Sequence, residues 1–196
     1  MLRRSLVLVA ALVAALVVAA SALAASVTVR VEGKTQTIFG SLPAKVQADN
    51  ALQALDVASV LGEFYYLVTH SSFGDYVSQV GKYPAAGSAG WVFKVNGASP
   101  PVGADHVQLK DGDSVLWYWA EFGPNGGPPT LGLKADGGNC YRVTSYDDAG
   151  KATPAVAVLH VDGRRVKTAA GRGCVGTHRG TVRAYAVGAV RSNSVK

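Results

Sequence analysis

The side chains able to do chemistry are few and scattered in this chain of 196 residues. His70, His106, His160 and His178 lack metal-ligand spacing, and none sits in an H-E-x-x-H frame. Satisfied or surface histidines are the expectation, with no metal site. Asp111-Gly-Asp113 resembles the start of a calcium loop, but the remaining oxygen ligands and the distal Glu are missing, so a tight turn accounts for it. Gly171-Arg-Gly173-Cys-Val-Gly176 fits G-x-G-x-x-G without a following helix whose N-terminus could hold a phosphate, and turn glycines explain it. No G-x-S-x-G or S-x-x-K stretch occurs, and no two carboxylates are placed for acid–base work. The expectation is a protein that is not an enzyme and has no catalytic residues or cofactor.

Cys140 and Cys174 are the two cysteines, and their meaning depends on compartment. The first 24 residues, MLRRSLVLVAALVAALVVAASALA, have a basic start at Arg3 and Arg4, an apolar run and small residues at Ala22 and Ala24. That order predicts a secretory signal peptide over 1–24, and export makes a Cys140–Cys174 disulfide the simplest pairing. A retained membrane anchor competes, because the run nearly suffices to span a bilayer. Small residues follow it, however, and no basic stop-transfer cluster does. The expected location is therefore extracellular or in the cell envelope, with the membrane touched only through the leader.

Without Arg3 and Arg4 the net charge of +6 falls to +4, unevenly distributed. Residues 25–132 carry six Lys or Arg against nine Asp or Glu, net −3, while 133–196 carry eleven against four, net +7. The arginines of the second half are spread singly along strand-like segments, which favours a solvated surface over a binding patch. No nucleic-acid partner is expected. The charge change coincides with Gly123-Pro-Asn-Gly-Gly-Pro-Pro129, so two domains are read, 25–122 and 131–196, joined by a linker over 123–130.

The elements that must position any site follow from periodicity. Ser26–Glu32 alternates valine with polar residues and Gly33-Lys34 leads to TQTIF, predicting a hairpin. Asn50 with Gln53 caps a helix over Ala51–Leu61, stopped by Gly62. Strands follow at Phe64–Thr69, Tyr76–Val80, Trp91–Val95, His106–Leu109 and Ser114–Ala120, with turns at Asn96-Gly97 and Asp111-Gly112. A hairpin, one helix and further strands are the element order of a β-grasp, within the α+β class. Beyond the linker LGLKA, CYRVTSY, AVAVLHV and TVRAYAV read as short strands of a small immunoglobulin-like sandwich, two of them pinned by the disulfide.

The aromatic residues make the one constellation that asks for an explanation. Trp91 and Phe93 share a face of their strand, and Trp117 and Trp119 share a face of theirs, with Tyr118 opposite. One helix covers one sheet face, and bulky rings on both faces require a second cover. Residues 71–90, the second domain, a flat organic ligand or a partner protein could each supply it. Trp91, Phe93, Trp117 and Trp119 are the candidate ligand-binding residues.

The stretches ALQALDVAS, YYLVTHSSFGDYVSQVGKYP and GWVFKVNGASPPVGADHVQLKDGDSVLWYW resemble the bacterial domain of unknown function 4430. Its W-x-x-x-V-N-G…G-A-D…L-x-x-G-D-x-V-x-W core falls in order on Trp91, Asn96-Gly97, Gly103-Ala-Asp105, Gly112-Asp113 and Trp117. The resemblance covers Ser26–Phe122, and that family is similar to the C-terminal β-domain of transcobalamin and intrinsic factor. DGRRVKTAAGRG and GAVRSNSV resemble, less specifically, a bacterial immunoglobulin-like module. The resemblance implies a β-grasp that binds soluble ligands. Cobalamin carries over without a residue-level match, because the eukaryotic carriers grip it against a helical barrel that this chain lacks. The function expected is a secreted, non-enzymatic binding or adhesion protein whose partner is a small molecule or an extracellular protein. The alternative is a carrier of a flat ligand such as a corrinoid.

Overall fold

The computed structural model describes residues 24–71, 74–124 and 126–196; the leader read from the sequence lies outside these residues apart from Ala24. The fold is β-rich α+β, with a single helix among the described residues. β1 (Ala25–Glu32) and β2 (Thr37–Ala48) form the opening hairpin. β2 runs further than TQTIF suggests, because Gly40, at φ 65°, bulges the pair where any side chain would collide with the Val29 carbonyl. The helix, α1 (Ala51–Leu61), starts as its sequence predicts. Asn50 Oδ1 accepts the Gln53 amide at 2.8 Å, and the Gln53 side chain accepts the Asp49 amide at 2.5 Å.

β6 (Ala89–Val95) and β7 (Ser114–Glu121) complete the first sheet, in the order β2-β1-β7-β6, with β7 parallel to β1 and antiparallel to β6. Between helix and β6 lie β3 (Tyr66–Ser71), β4 (Gly74–Val80) and β5 (Tyr83–Pro84), a small antiparallel sheet. The strand expected at His106–Leu109 is not formed. That segment holds one bridge, Gln108 to Asn50, because its main chain serves the helix start: the Leu52 amide donates to Ala104 O, and the Leu109 amide to Asp49 O.

The second half packs two small sheets. β9 (Cys140–Tyr146) carries β8 (Thr130–Ala135) on one edge and both β10 (Ala152–Pro154) and β13 (Arg172–Cys174) on the other. The other sheet orders β12 (Arg164–Lys167), β11 (Val158–Val161), β14 (Val182–Tyr185) and β15 (Ser194–Val195). Leu131, Leu133, Tyr141 and Val143 meet Leu159, Val161, Val182 and Ala184 in their common core. Cys140 and Cys174 are disulfide-bonded and are direct cross-strand partners, so the bond pins β9 to β13 within one sheet.

Period-two alternation gives the first sheet two apolar faces. Val27, Val29, Val31, Val115 and Trp117 turn toward α1. Leu116, Tyr118 and Ala120 turn the other way and meet Val190 of the second half. That second face also carries charge. Glu32, 1% exposed, receives Arg30 Nη1 at 3.1 Å, Arg191 Nε at 2.6 Å and Arg183 Nη2, while Arg191 Nη2 also donates to Gly33 O. Burial pulls the Arg30 guanidinium down to about 10 despite the opposing pull of Glu32. Lys94, fully buried, donates to Tyr146 O at 3.2 Å and Asp147 O at 2.7 Å and lies 3.4 Å from the Asp148 carboxylate.

Two stability outcomes follow from these contacts. Glu32→Ala leaves three guanidiniums around a void, and urea unfolding is expected to show a loss of about 3–5 kcal/mol, the usual cost of breaking a buried ion pair. Replacing Cys140 and Cys174 together by serine is expected to cost about 3–4 kcal/mol on the chain-entropy account of a loop of 34 residues, read as a lower urea midpoint.

Candidate functional site

The tryptophans do not lie on the face the helix leaves uncovered. They face α1 and the β3–β5 layer, because the register that pairs Trp91 with Trp119 and Phe93 with Trp117 turns all four rings to the same side as Val115. Trp91 and Trp117 are each 2% exposed. Their indole nitrogens are tied to the chain, Trp91 Nε1 donating to Tyr83 O at 2.7 Å and Trp117 Nε1 to Ala51 O at 3.1 Å. Phe93 stacks on Trp117 with centroids 5.0 Å apart. The second cover, over Tyr118, is the second half of the chain.

The sheet has two outer strands, β2 and β6, and a cavity of about 380 Å³ lies beside β6. Three of the four candidate residues, Trp91, Phe93 and Trp117, line this cavity. Further wall is supplied by Tyr76 and Val77 of β4, by Pro100, and by Phe122 just past β7. Tyr76 and Phe122 are both exposed at the rim, and sequence periodicity did not single them out. They reach the site through chain folding alone. The only signal for them was the aromatic content of DYVSQV and of the segment that closes β7.

Asp75 and Asp148 are charged residues of the cavity wall, and among the described residues no lysine, arginine or histidine lines it. Asp75 Oδ1 lies 2.6 Å from His70 Nδ1, and Asp148 holds the second half against the site through its main chain, its carbonyl accepting the Ser99 amide at 2.9 Å. Burial, reinforced by the Asp148 charge, raises the Tyr118 phenol well above its ordinary value, so it stays neutral. Burial also lowers the Lys94 ammonium, against the pull of Asp148. The wall is thus mostly apolar, and each of its two carboxylates already has a partner, Asp148 in Lys94 and Asp75 in His70.

Trp119 is not part of this cavity. It lines a separate groove of about 360 Å³ with Tyr185 and Arg191, and Lys34 Nζ sits 4.6 Å from its ring centroid. Its Nε1 is 3.5 Å from Pro84 O. Among the described residues no three His, Cys, Asp or Glu side chains converge as a metal site would require.

The motif residues are, in this geometry, mostly structural. Asn96 and Gly97 take positive φ in a tight turn, Asn96 Nδ2 donates to Asp113 Oδ1 at 2.7 Å, and the Ala104 carbonyl receives the helix's second amide. The helix, the β3–β5 layer, β6 and β7 together form one continuous stretch of sequence. Residues 48–121 match the family described as domain of unknown function DUF4430. The DUF4430 match begins at the end of β2 and stops at the last residue of β7, so it contains β6 and leaves out most of the opening hairpin. A comparison with the curated proteins returns no match. Among solved structures, a protein of Ruminococcus gnavus described as a candidate metal binding protein is similar at 17% identity, over 50% of this chain and 97% of that one, with a TM-score of 0.39.

Acrylamide quenching tests the placement of the three indoles. Trp119→Phe is expected to remove most of the quenchable emission, and the remaining Trp91 and Trp117 emission to be shielded and blue-shifted.

Proposed function

We propose that this is a secreted, non-enzymatic binding protein in which a transcobalamin-like β-grasp presents its ligand site at the β6 edge and an immunoglobulin-like module completes the site's outer wall. The observation that carries this reading is the aromatic cavity of about 380 Å³ beside the outer strand β6, a volume within the range of about 300–1,000 Å³ usual for ligand pockets. The central parallel pair β1/β7, flanked by β2 and β6 under a single helix, supports the β-grasp assignment. The disulfide suits an oxidising compartment and supports export.

A flat ligand such as a corrinoid is the second reading, favoured by the number of rings around the cavity. It would meet Phe93, Tyr76 and Phe122 rather than the indole faces, because Trp91 and Trp117 are each only 2% exposed. Titration of the dye 8-anilinonaphthalene-1-sulfonate and, separately, cyanocobalamin against tryptophan emission tests both readings. The dye is expected to bind the cavity, and Phe93→Ala or Phe122→Ala to weaken it about tenfold, the loss of about 1.4 kcal/mol of apolar contact. Dye binding that neither substitution changes would put the site elsewhere. No response to cyanocobalamin would end the corrinoid reading alone.

A further inference from the structure

A larger cavity, of about 640 Å³, lies between the two halves. One wall is the face of the first sheet turned from the helix, with Thr28 and Arg30 of β1, Lys94 of β6 and Ser114 of β7. The other is the outward face of β8 and β9, where the register sets Gly132 opposite Thr144 and Lys134 opposite Arg142. The alternate residues of these strands, Leu133 and Val143 among them, turn into the core of the second half. The two halves touch through Tyr118, Ala120 and Val190, and the cavity stands where Thr28, Ser114, Gly132 and Thr144 present short side chains or none.

Arg30, Lys94, Lys134 and Arg142 line this cavity, and among the described residues no aspartate or glutamate does. The acids that approach these cations are too few to neutralise them. Glu32 is shared by Arg30, Arg183 and Arg191, and Asp136 by Arg142 at 3.0 Å and Arg172 at 2.7 Å. Lys134 has no ion-pair partner among the described residues. Its cross-strand partner is Arg142, and Arg142 faces Arg172 on the next strand, so three cations stand in one row across β8, β9 and β13. Like charges directly opposite one another destabilise a sheet, and an anion beside them relieves that repulsion. Arg30 and Lys94 are buried and give their donors to main-chain carbonyls, so they act through charge, whereas Lys134 and Arg142 are exposed and can bond a ligand directly. The hydroxyls of Thr28, Ser114 and Thr144 share the walls, which suits a ligand that carries hydroxyls of its own.

We propose that this cleft between the halves binds a small hydroxylated anion of sugar size, whose phosphate or carboxylate group is held by Lys134 and Arg142 in the field of Arg30 and Lys94. The volume is within the range of about 300–1,000 Å³ usual for such ligands. The cleft shares no wall residue with the aromatic cavity beside β6, and its binding does not depend on that cavity being occupied. Each half supplies one wall, so a ligand held here also stabilises the docking of the halves.

The probes are glucose 6-phosphate and glucuronate, which carry the two headgroups, and glucose, which carries neither. Each is titrated into the whole protein while the amide resonances of Gly132, Lys134 and Thr144 are followed. At least one anion is expected to move these amides with a Kd below about 1 mM, and glucose to leave them unmoved up to about 10 mM. The anion that binds, or binds more tightly, assigns the headgroup. Lys134→Glu is expected to weaken binding at least about tenfold, and Lys167→Glu, the same change of charge on β12 outside the cleft, to alter it less than about twofold. The rest of the amide spectrum reports that each variant is folded. Binding of glucose as tight as that of the anions, or an equal effect of the two substitutions, overturns the assignment of charge at Lys134. No movement of the three amides with either anion up to about 10 mM removes the site.

Discussion

A four-stranded sheet with two apolar faces and one helix leaves one face in need of a cover, and the rest of this structure follows from how that need is met. Covering a face that carries Arg30, Glu32 and Lys94 means desolvating three charged groups, which is costly unless each finds partners. The second half provides them. Two of its arginines close on Glu32, its Leu131 and Arg191 carbonyls receive Arg30, and its β9–β10 turn receives Lys94. Each partner is specific in position, so the charges fix how the halves sit while Leu116, Tyr118, Ala120 and Val190 supply the apolar burial.

That arrangement decides where a ligand can go. With α1 and the β3–β5 layer on one face and the second half on the other, β1 and β7 are enclosed, and β2 and β6 are the outer strands. The aromatic cavity lies beside β6. The turn that grips Lys94 also carries Asp148, whose carbonyl holds Ser99, so the same contact that docks the second half builds one wall of the cavity. A substitution at Lys94 would therefore act on the site through the second half's position rather than through the ligand.

The two acidic residues of the wall and the basic second half also divide the molecule electrostatically. The net charge is −3 over 25–132 and +7 over 133–196. Three of the basic residues, Arg30, Arg183 and Arg191, are consumed by one buried carboxylate, which shows how little of a chain's formal charge describes its surface.

Local order was legible in the sequence wherever it depends on near neighbours. The cap at Asn50 and Gln53, the helix to Leu61, the alternation of β1 and β7 and the Asn96-Gly97 turn each depend on neighbours a few residues apart, and so does the side to which each side chain points. The disulfide was legible too, from there being two cysteines in a chain that opens like an exported one. Which face meets which cover was not. The alternation leaves open which face carries Trp91 and Trp117, and predicts at His106–Leu109 a strand that the helix start prevents, because both depend on contacts between segments about 50 to 66 residues apart. Glu32 ends the alternation of β1 as one of its polar residues, and it is buried because Arg183, 151 positions later, comes to it. Alternation along a strand is set by backbone geometry, so sequence alone determines it; burial is set by what the chain later lays against that strand, and only the tertiary structure decides that.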